Sequence, residues 1–326
     1  MENKYSNKYL VETGIGLQDV DGLKNSSYFV NESERYIRGE ITLDELENII
    51  SIYYKNKPDE EDRSEEADIV ASRIAKIISY DSFSFTVGQL VSIHKQLFDD
   101  LYNHAGKLRT YNFSKKEWIL DGASVFYGDY RLLEMTLQYD FDLEKRFDYK
   151  GLTIDEIIDH LSIFISNLWQ IHPFEEGNTR VTAVFIIKYL RSLGFDITND
   201  TFAKNAWYFR NALVRANYKN LRKNIIEDRS FLIRFLRNLL LNENNLLENK
   251  ELHISYVSLN KNDSREHRII SLIKNNPHIK LEDIANELGV SLRTVKSLIA
   301  ALTQNHKIER VDGKKYGYWK ITEENI

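Results

Sequence analysis

His172-Pro173-Phe174-Glu175-Glu176-Gly177-Asn178-Thr179-Arg180 puts a titratable base, an acid, a tight turn and a guanidinium within nine residues. Upstream, from Asp155 to Gln170, apolar residues recur at Ile157, Ile158, Leu161, Phe164, Ile165, Leu168 and Trp169. That spacing predicts a helix, opened by the capping box Thr153-x-x-Glu156. A second helix is expected from about Arg180 to Leu193, closed by Gly194. The run is therefore a loop that feeds a helix N-terminus, where backbone N–H groups lack intrahelical partners and favour anions.

The residue types suit phosphate chemistry. Gly177 lets the backbone approach a phosphate and can adopt positive φ. Asn178 offers an amide donor and Arg180 a planar fork for phosphate oxygens. Glu176 beside an anion calls for an intervening cation, which points to Mg²⁺. His172 titrates near neutrality and could take a proton from an attacking hydroxyl. Singly, each has a plainer reading: a His at a helix end is usually structural, and Gly-Asn is usually a turn. Their joint occurrence between two apolar helices favours transfer of a phosphorus-containing group.

The run resembles the Fic family motif, His-x-Phe-x-Asp/Glu-Gly-Asn-x-Arg-x-x-Arg. The resemblance continues in Ile93-His94-Lys95-Gln96-Leu97-Phe98-Asp99-Asp100-Leu101-Tyr102 and His104-Ala105-Gly106-Lys107-Leu108-Arg109. It covers roughly residues 68 to 250. It implies a protein adenylyltransferase that moves AMP from ATP to a Ser, Thr or Tyr hydroxyl of a target protein. By that resemblance His172 is the general base and Glu176 the Mg²⁺ ligand. Gly177 and Asn178 form the anion hole, Thr179 is a further phosphate-binding residue, Arg180 holds distal phosphates, and Phe174 anchors the loop. Asn217 matches a position that contacts the adenine end. Other donors stay open, including a reversed nucleotide that gives up a phosphate or another phosphodiester headgroup. A nucleotide-sensing transcriptional regulator is the rival of a different class.

The family's second arginine falls on Ala183, so the γ-phosphate grip is altered. Arg210 and Arg215 are read as ordinary helix-surface charges. The N-terminus resembles an antitoxin-like inhibitory module in which a Glu pairs with that second arginine. In matching register the carboxylate is Asp21 and the Ser/Thr is Leu17. With its usual arginine gone, the Asp21 carboxylate is expected to have nothing to grip, so inhibition by this route is expected to be weak or absent. A large gain in activity on truncation to about Glu65 would overturn that.

The 326-residue chain has no Cys, 3 Pro and 14 Gly. A cysteine nucleophile and a disulfide framework are excluded, and the long 3.6-residue periods predict a mainly α protein. No apolar leader follows Met1 and no run reaches membrane-spanning length, so a cytoplasmic protein with no membrane partner is expected. A formal net charge of −5 argues against general nucleic-acid binding by the whole chain.

Three parts are expected. Residues 1–65 form a helical antitoxin-like module, with helices near 29–38 and after the capping box Thr42–Glu45, ending in an acidic stretch from Lys57 to Glu66 that reads as solvated. Residues 66–252 form the Fic-like core. Within it, Trp118 to Tyr130 is aromatic and punctuated by Gly, which predicts a β-hairpin; the Fic resemblance implies that it is a flap over the site, holding Tyr127 and Gly128, that pairs with the target's backbone. Residues 262–326 read as a winged helix-turn-helix: helices near 269–273, 281–288 and 292–303, then a hairpin around Asp312-Gly313. From Gly289 to Lys320, 7 basic and 2 acidic residues give +5. Arg293 and Lys296 on the recognition helix, with Arg310, Lys314 and Lys315 at the wing, suit DNA phosphates. Docking of protein instead is the plainer alternative, and a homodimer is left open.

Overall fold

A computed structural model describes residues 4–56, 63–312 and 317–322, with the side chains of 257–264 and 267 outside the description. The chain forms two compact units, Met1–Leu252 and His253–Ile326. The first unit contains α1 (Asn7–Gly16), α2 (Ser27–Ile37), α3 (Leu43–Lys55), α4 (Ser64–Ser79), α5 (Val87–Phe98), α6 (Leu133–Arg146), α7 (Ile154–Ile171), α8 (Asn178–Ser192), α9 (Thr201–Asn217), α10 (Ser230–Leu241) and α11 (Asn249–Leu252). The second holds α12 (Ile254–Asn275), α13 (Leu281–Leu288), α14 (Leu292–Gln304), β1 (Ile308–Val311) and β2 (Tyr318–Ile321). The architecture is mainly helical.

Helix α8 is the axis of the first unit. Every residue from Asn178 to Leu190 is buried, as expected of a helix covered on all sides; α4, α5 and α7 pack on it. Burial on all sides forces its polar residues to find partners. Lys188 donates to the carbonyls of Ile77 (3.0 Å) and Tyr80 (2.5 Å) at the C-terminus of α4, where a cation also meets the negative helix end. Helix α1 packs on α4 and α9. At Gly14 a Cβ would stand 2.3 Å from the Ala71 carbonyl oxygen, so only glycine allows that close approach.

Both capping boxes form. Thr42 and Glu45 open α3, and Thr153 and Glu156 open α7. The β-hairpin expected at 118–130 is absent. Trp118–Leu120 instead makes a single 3₁₀ turn, with Asp121 and Gly122 at positive φ, followed by an irregular stretch. Burial explains the difference. Ile119, Leu120 and Val125 sink into the core, and the Glu117 N–H and Ala123 carbonyl close the loop at 2.9 Å. That pins the segment as an anchored loop with no strand partner. In the acidic stretch, residues 57–62 lie outside the described residues. Its end contradicts the solvated reading, because Glu66 is buried on α4.

In the second unit α13, a turn with Gly289 at φ 63° and α14 capped by Ser291 follow the expected order. The first helix is longer than the sequence reading. Strands β1 and β2 pair antiparallel, with Ile308 opposite Ile321 and Val311 opposite Tyr318. Ile269, Ile284, Val295, Leu302 and Ile308 form the core. Arg293, Lys296 and Arg310 are exposed, and Arg310 lies over the Trp319 ring at 4.8 Å. Lys314 and Lys315 fall outside the described residues.

Candidate active site

Helix α7 ends at His172, which takes the left-handed conformation, φ 50° and ψ 58°. A non-glycine residue there needs its surroundings to hold it, and Arg109 does so. Its backbone N–H donates to the Pro173 carbonyl (2.9 Å), its Nε to the His172 carbonyl (2.7 Å) and its Nη1 to the Tyr111 carbonyl (2.7 Å). Nη2 also donates to the Gly128 carbonyl. One guanidinium thus ties the loop after α7 to the irregular segment before α6.

The His172 imidazole is 3 % exposed. Tyr127 stacks on it at 3.9 Å and 14°, and Trp169 meets it edge-on at 5.3 Å. Nδ1 lies 3.3 Å from the Trp169 carbonyl. A carbonyl only accepts, so the neutral ring carries its proton on Nδ1, a tautomer assigned from the network. The lone pair is then on Nε2, which is buried and has no hydrogen-bond partner among the described residues. Burial first, and then the charges of Lys115, Arg210 and Arg109, hold the imidazole pKa well below its ordinary value against the opposing Trp169 carbonyl. His172 is therefore a neutral base at pH 7.

The turn is set by aromatic contacts. Phe174 is buried and stacks on His94 at 3.9 Å. His94 Nδ1 accepts from the Gly106 N–H (2.8 Å), which leaves Nε2–H facing the Glu176 carbonyl at 3.2 Å. Burial keeps His94 neutral, with its pKa lowered to about 4. Gly177 takes φ 74°, and a Cβ there would lie 2.3 Å from the Phe98 ring. The positive φ expected of Gly177 is present, and the close neighbour that excludes a Cβ is the Phe98 ring.

Other expectations need correction. The Asn178 side chain is closed on the loop: Oδ1 accepts from the Phe174 N–H (2.9 Å) and Nδ2 donates to the Phe174 carbonyl (2.8 Å). Its amide braces the turn with its oxygen and one N–H, which leaves the second N–H of Nδ2 without a partner in this bracing pair. Thr179 Oγ1 accepts from Trp169 Nε1 at 2.9 Å. Asn217 donates to the Ser166 and Leu213 carbonyls, so only its side-chain oxygen is left for an adenine. By contrast, no described residue accepts from the backbone N–H groups of Gly177, Asn178, Thr179 or Arg180. The backbone amides at the start of α8 are unclaimed among the described residues.

Arg180 is turned away from these amides, towards α4 and the segment before α2. It is fully buried. Nη2 lies 2.8 Å from Glu66 Oε1 and 2.9 Å from Asp21 Oδ2, Nη1 donates to Gln18 Oε1 (3.2 Å), and Cζ stands over the Phe98 ring at 4.9 Å. The expectation that Asp21 has nothing to grip is thus not met, because it pairs with the motif's first arginine in place of the one missing at Ala183. The truncation near Glu65 also becomes a poor probe, since it would strip α1 from α4 and α9. Burial pushes the Glu66 carboxyl up, but the charge of Arg180 and hydrogen bonds from Tyr102, Arg180 and Arg63 outweigh it and hold it below the ordinary value.

Two further residues of the site, Lys115 and Glu117, were not singled out in the sequence, and two arginines were misread. Lys115 Nζ lies 3.3 Å from Glu176 Oε2. Arg210, read as surface charge, makes a bidentate pair with the buried Glu117 at 2.6 and 3.0 Å. Tyr127 Oη is 3.5 Å from Glu117 Oε1. Arg215 is also buried. Periodicity gives no signal for such pairs, because their partners lie far apart in the chain. Gly128 N–H donates to the Gln170 carbonyl at 3.2 Å and Gln170 Nε2 to the Phe126 carbonyl at 3.1 Å. The segment with Tyr127 and Gly128 therefore does lie over the base, though not as a hairpin.

For a metal, Glu176 is half-buried and stands beside the free amides. The described residues hold no group of three or more His, Asp or Glu side chains suited to a cation. One carboxylate fits Mg²⁺ when phosphate oxygens and water complete the shell. No helix among the described residues is long and apolar enough to cross a membrane.

The Fic/DOC family model matches residues 84–190, and an HTH domain model matches residues 265–318. The chain is 29 % identical over 137 residues to protein adenylyltransferase VbhT of Bartonella schoenbuchensis, a match that covers 40 % of this chain and 27 % of that protein. The chain thus spans about a quarter of that relative's length. Among solved structures, a Fic family protein from Desulfovibrio desulfuricans aligns at 12 % identity and TM-score 0.41, covering 98 % of this chain and 88 % of that one. The N-terminal Fic domain of a Bartonella effector protein aligns at 17 % identity and TM-score 0.36, covering 60 % and 79 %.

Proposed function

We propose that this chain, which carries a Fic/DOC-family domain over residues 84–190, transfers AMP from ATP to a hydroxyl side chain of a protein. One observation carries the reading: the neutral imidazole of His172 has an orphaned, buried Nε2 at the end of α7, while the amides that open α8 are unclaimed. A buried polar atom left without a partner is costly and is tolerated where a substrate supplies the missing hydrogen bond. The hydroxyl oxygen attacks the α-phosphorus, the bond to pyrophosphate breaks, and the hydroxyl proton passes to Nε2. The α8 amides receive the charge on the phosphoryl oxygens. Mg²⁺ held by Glu176 would neutralise charge on the phosphates. Arg109 fixes the loop, and Tyr127 shields the imidazole until a target displaces it.

ATP labelled at the α- or the γ-phosphate tests this reading. Incubated with Mg²⁺, the protein should gain one AMP mass by intact-mass spectrometry, retain label from the α position only, and do neither after His172→Ala. Retention of γ label alone would reject AMP transfer in favour of phosphate transfer.

The second unit supports a separate reading as a DNA-contacting module, because Arg293 and Lys296 stand exposed on α14, the second helix of its helix-turn-helix. Full-length protein should shift duplex DNA in a salt-dependent manner, and Arg293→Ala with Lys296→Ala should shallow the salt slope by about 2 units. An unchanged slope would assign this surface to protein docking.

A further inference from the structure

Ala183 leaves the site one cation short of the family pattern, and Arg180 is engaged by Asp21, Glu66 and Gln18. The charges placed beside the reacting centre are different ones. Lys115 reaches from the segment between α5 and α6 to within 3.3 Å of Glu176 Oε2, and its ammonium stands 6.0 Å from the Phe113 ring. Phe113 in turn lies 5.7 Å from the His172 ring. Lys115 is half-buried beside the expected metal ligand. Arg210 is neutralised by Glu117, and Arg109 is spent on backbone carbonyls. Lys115 is thus the cation near His172 whose partner, Glu176, is itself expected to exchange it for a metal.

We propose that Lys115 is a phosphate-contacting residue of the transfer reaction: it neutralises Glu176 in the free protein and passes to the reacting phosphate when Mg²⁺ and nucleotide arrive. This rests on the AMP-transfer reading above. The physics is an exchange of partners. An ammonium with three donors on a flexible stem can swing a short distance from one anion to another without leaving the site. Glu176 cannot face a phosphate without a cation between them, so a lysine beside it keeps the site neutral until the metal replaces it. The new partner is the phosphoryl group next to His172 and the α8 amides, where charge develops as pyrophosphate leaves. This places Lys115 at the reacting end of the nucleotide and not at the γ-phosphate position lost with Ala183. After burial, Lys115 is also the largest influence lowering the His172 pKa, so its removal should be readable at the base.

The test has two independent readouts in the full chain. Equilibrium binding of ATP with Mg²⁺, measured calorimetrically on parent, Lys115→Ala and Lys115→Arg, should show about tenfold weaker binding for Lys115→Ala, equivalent to about 1.4 kcal/mol, with Lys115→Arg close to the parent. In transfer assays the acid limb of the pH–rate profile should move to higher pH in Lys115→Ala and stay in place in Lys115→Arg. Binding equal to or tighter than the parent's in Lys115→Ala would overturn the proposal, since it would make Lys115 a mere plug for Glu176. If the parent binds nucleotide but transfers no AMP, the function reading fails while the binding comparison still decides the role of Lys115.

Discussion

Glu66→Ala is expected to lower the stability of the first unit by about 3–5 kcal/mol, because it removes one partner of a buried ion pair. Arg180 has no exposed surface, and its guanidinium is shared among Glu66, Asp21 and Gln18. Without Glu66 only Asp21 offsets a charge that water cannot reach. For a unit of this size the loss corresponds to a fall in Tm of roughly 10 °C, measurable by circular dichroism. Asp21→Asn should cost less, because Glu66 stays and Asp21 retains some exposure. The pH dependence follows from the depressed Glu66 pKa. Its contribution is fully present above the unfolded carboxyl value of about 4.3 and is lost as pH falls through the lower folded value. Glu66→Ala should therefore flatten the acid side of the stability curve. Equal Tm values for parent and variant would show that Arg180 does not depend on this carboxylate.

His172→Ala should cut the transfer rate by about 10²–10⁴-fold, the usual worth of a positioned general base, while leaving the fold intact. The side chain makes only a long contact to the Trp169 carbonyl, and its Nε2 bonds nothing. Removing it relieves an unsatisfied polar atom and loses only ring packing. The depressed imidazole pKa also sets the profile: the base is already deprotonated at neutrality. The rate should be flat above the ordinary imidazole value of about 6.5 and fall only on the acid side. Retention of near-parental transfer by His172→Ala, with a folded protein, would remove the imidazole from the chemistry. A rate that still climbs from pH 7 to 8 would place a different titrating group in control.

Local order was legible in the sequence wherever neighbours along the chain decide structure. Thr153 with Glu156 and Thr42 with Glu45 are capping boxes within one helical turn, and the apolar period from Ile157 to Trp169 buries one face of α7. The pairing of β1 with β2 obeys the same short-range rules. The 118–130 segment was misread for the converse reason. Its aromatic and Gly pattern fits a hairpin, but pairing needs a neighbouring strand, and Ile119, Leu120 and Val125 found core instead.

From the sequence alone came the helical class, the loop between α7 and α8 and the residue types gathered there, because periodicity, caps and glycine act over a few residues. Only the tertiary structure decided how charge is distributed around that loop: Arg180 turned inward to Glu66 and Asp21, Lys115 against Glu176, Arg210 against Glu117, and Tyr127 over His172. Those pairs join residues 45 to 159 positions apart (172 − 127 and 180 − 21). Coulombic attraction and burial act through space, and chain order carries no record of which distant side chains a fold will bring into contact.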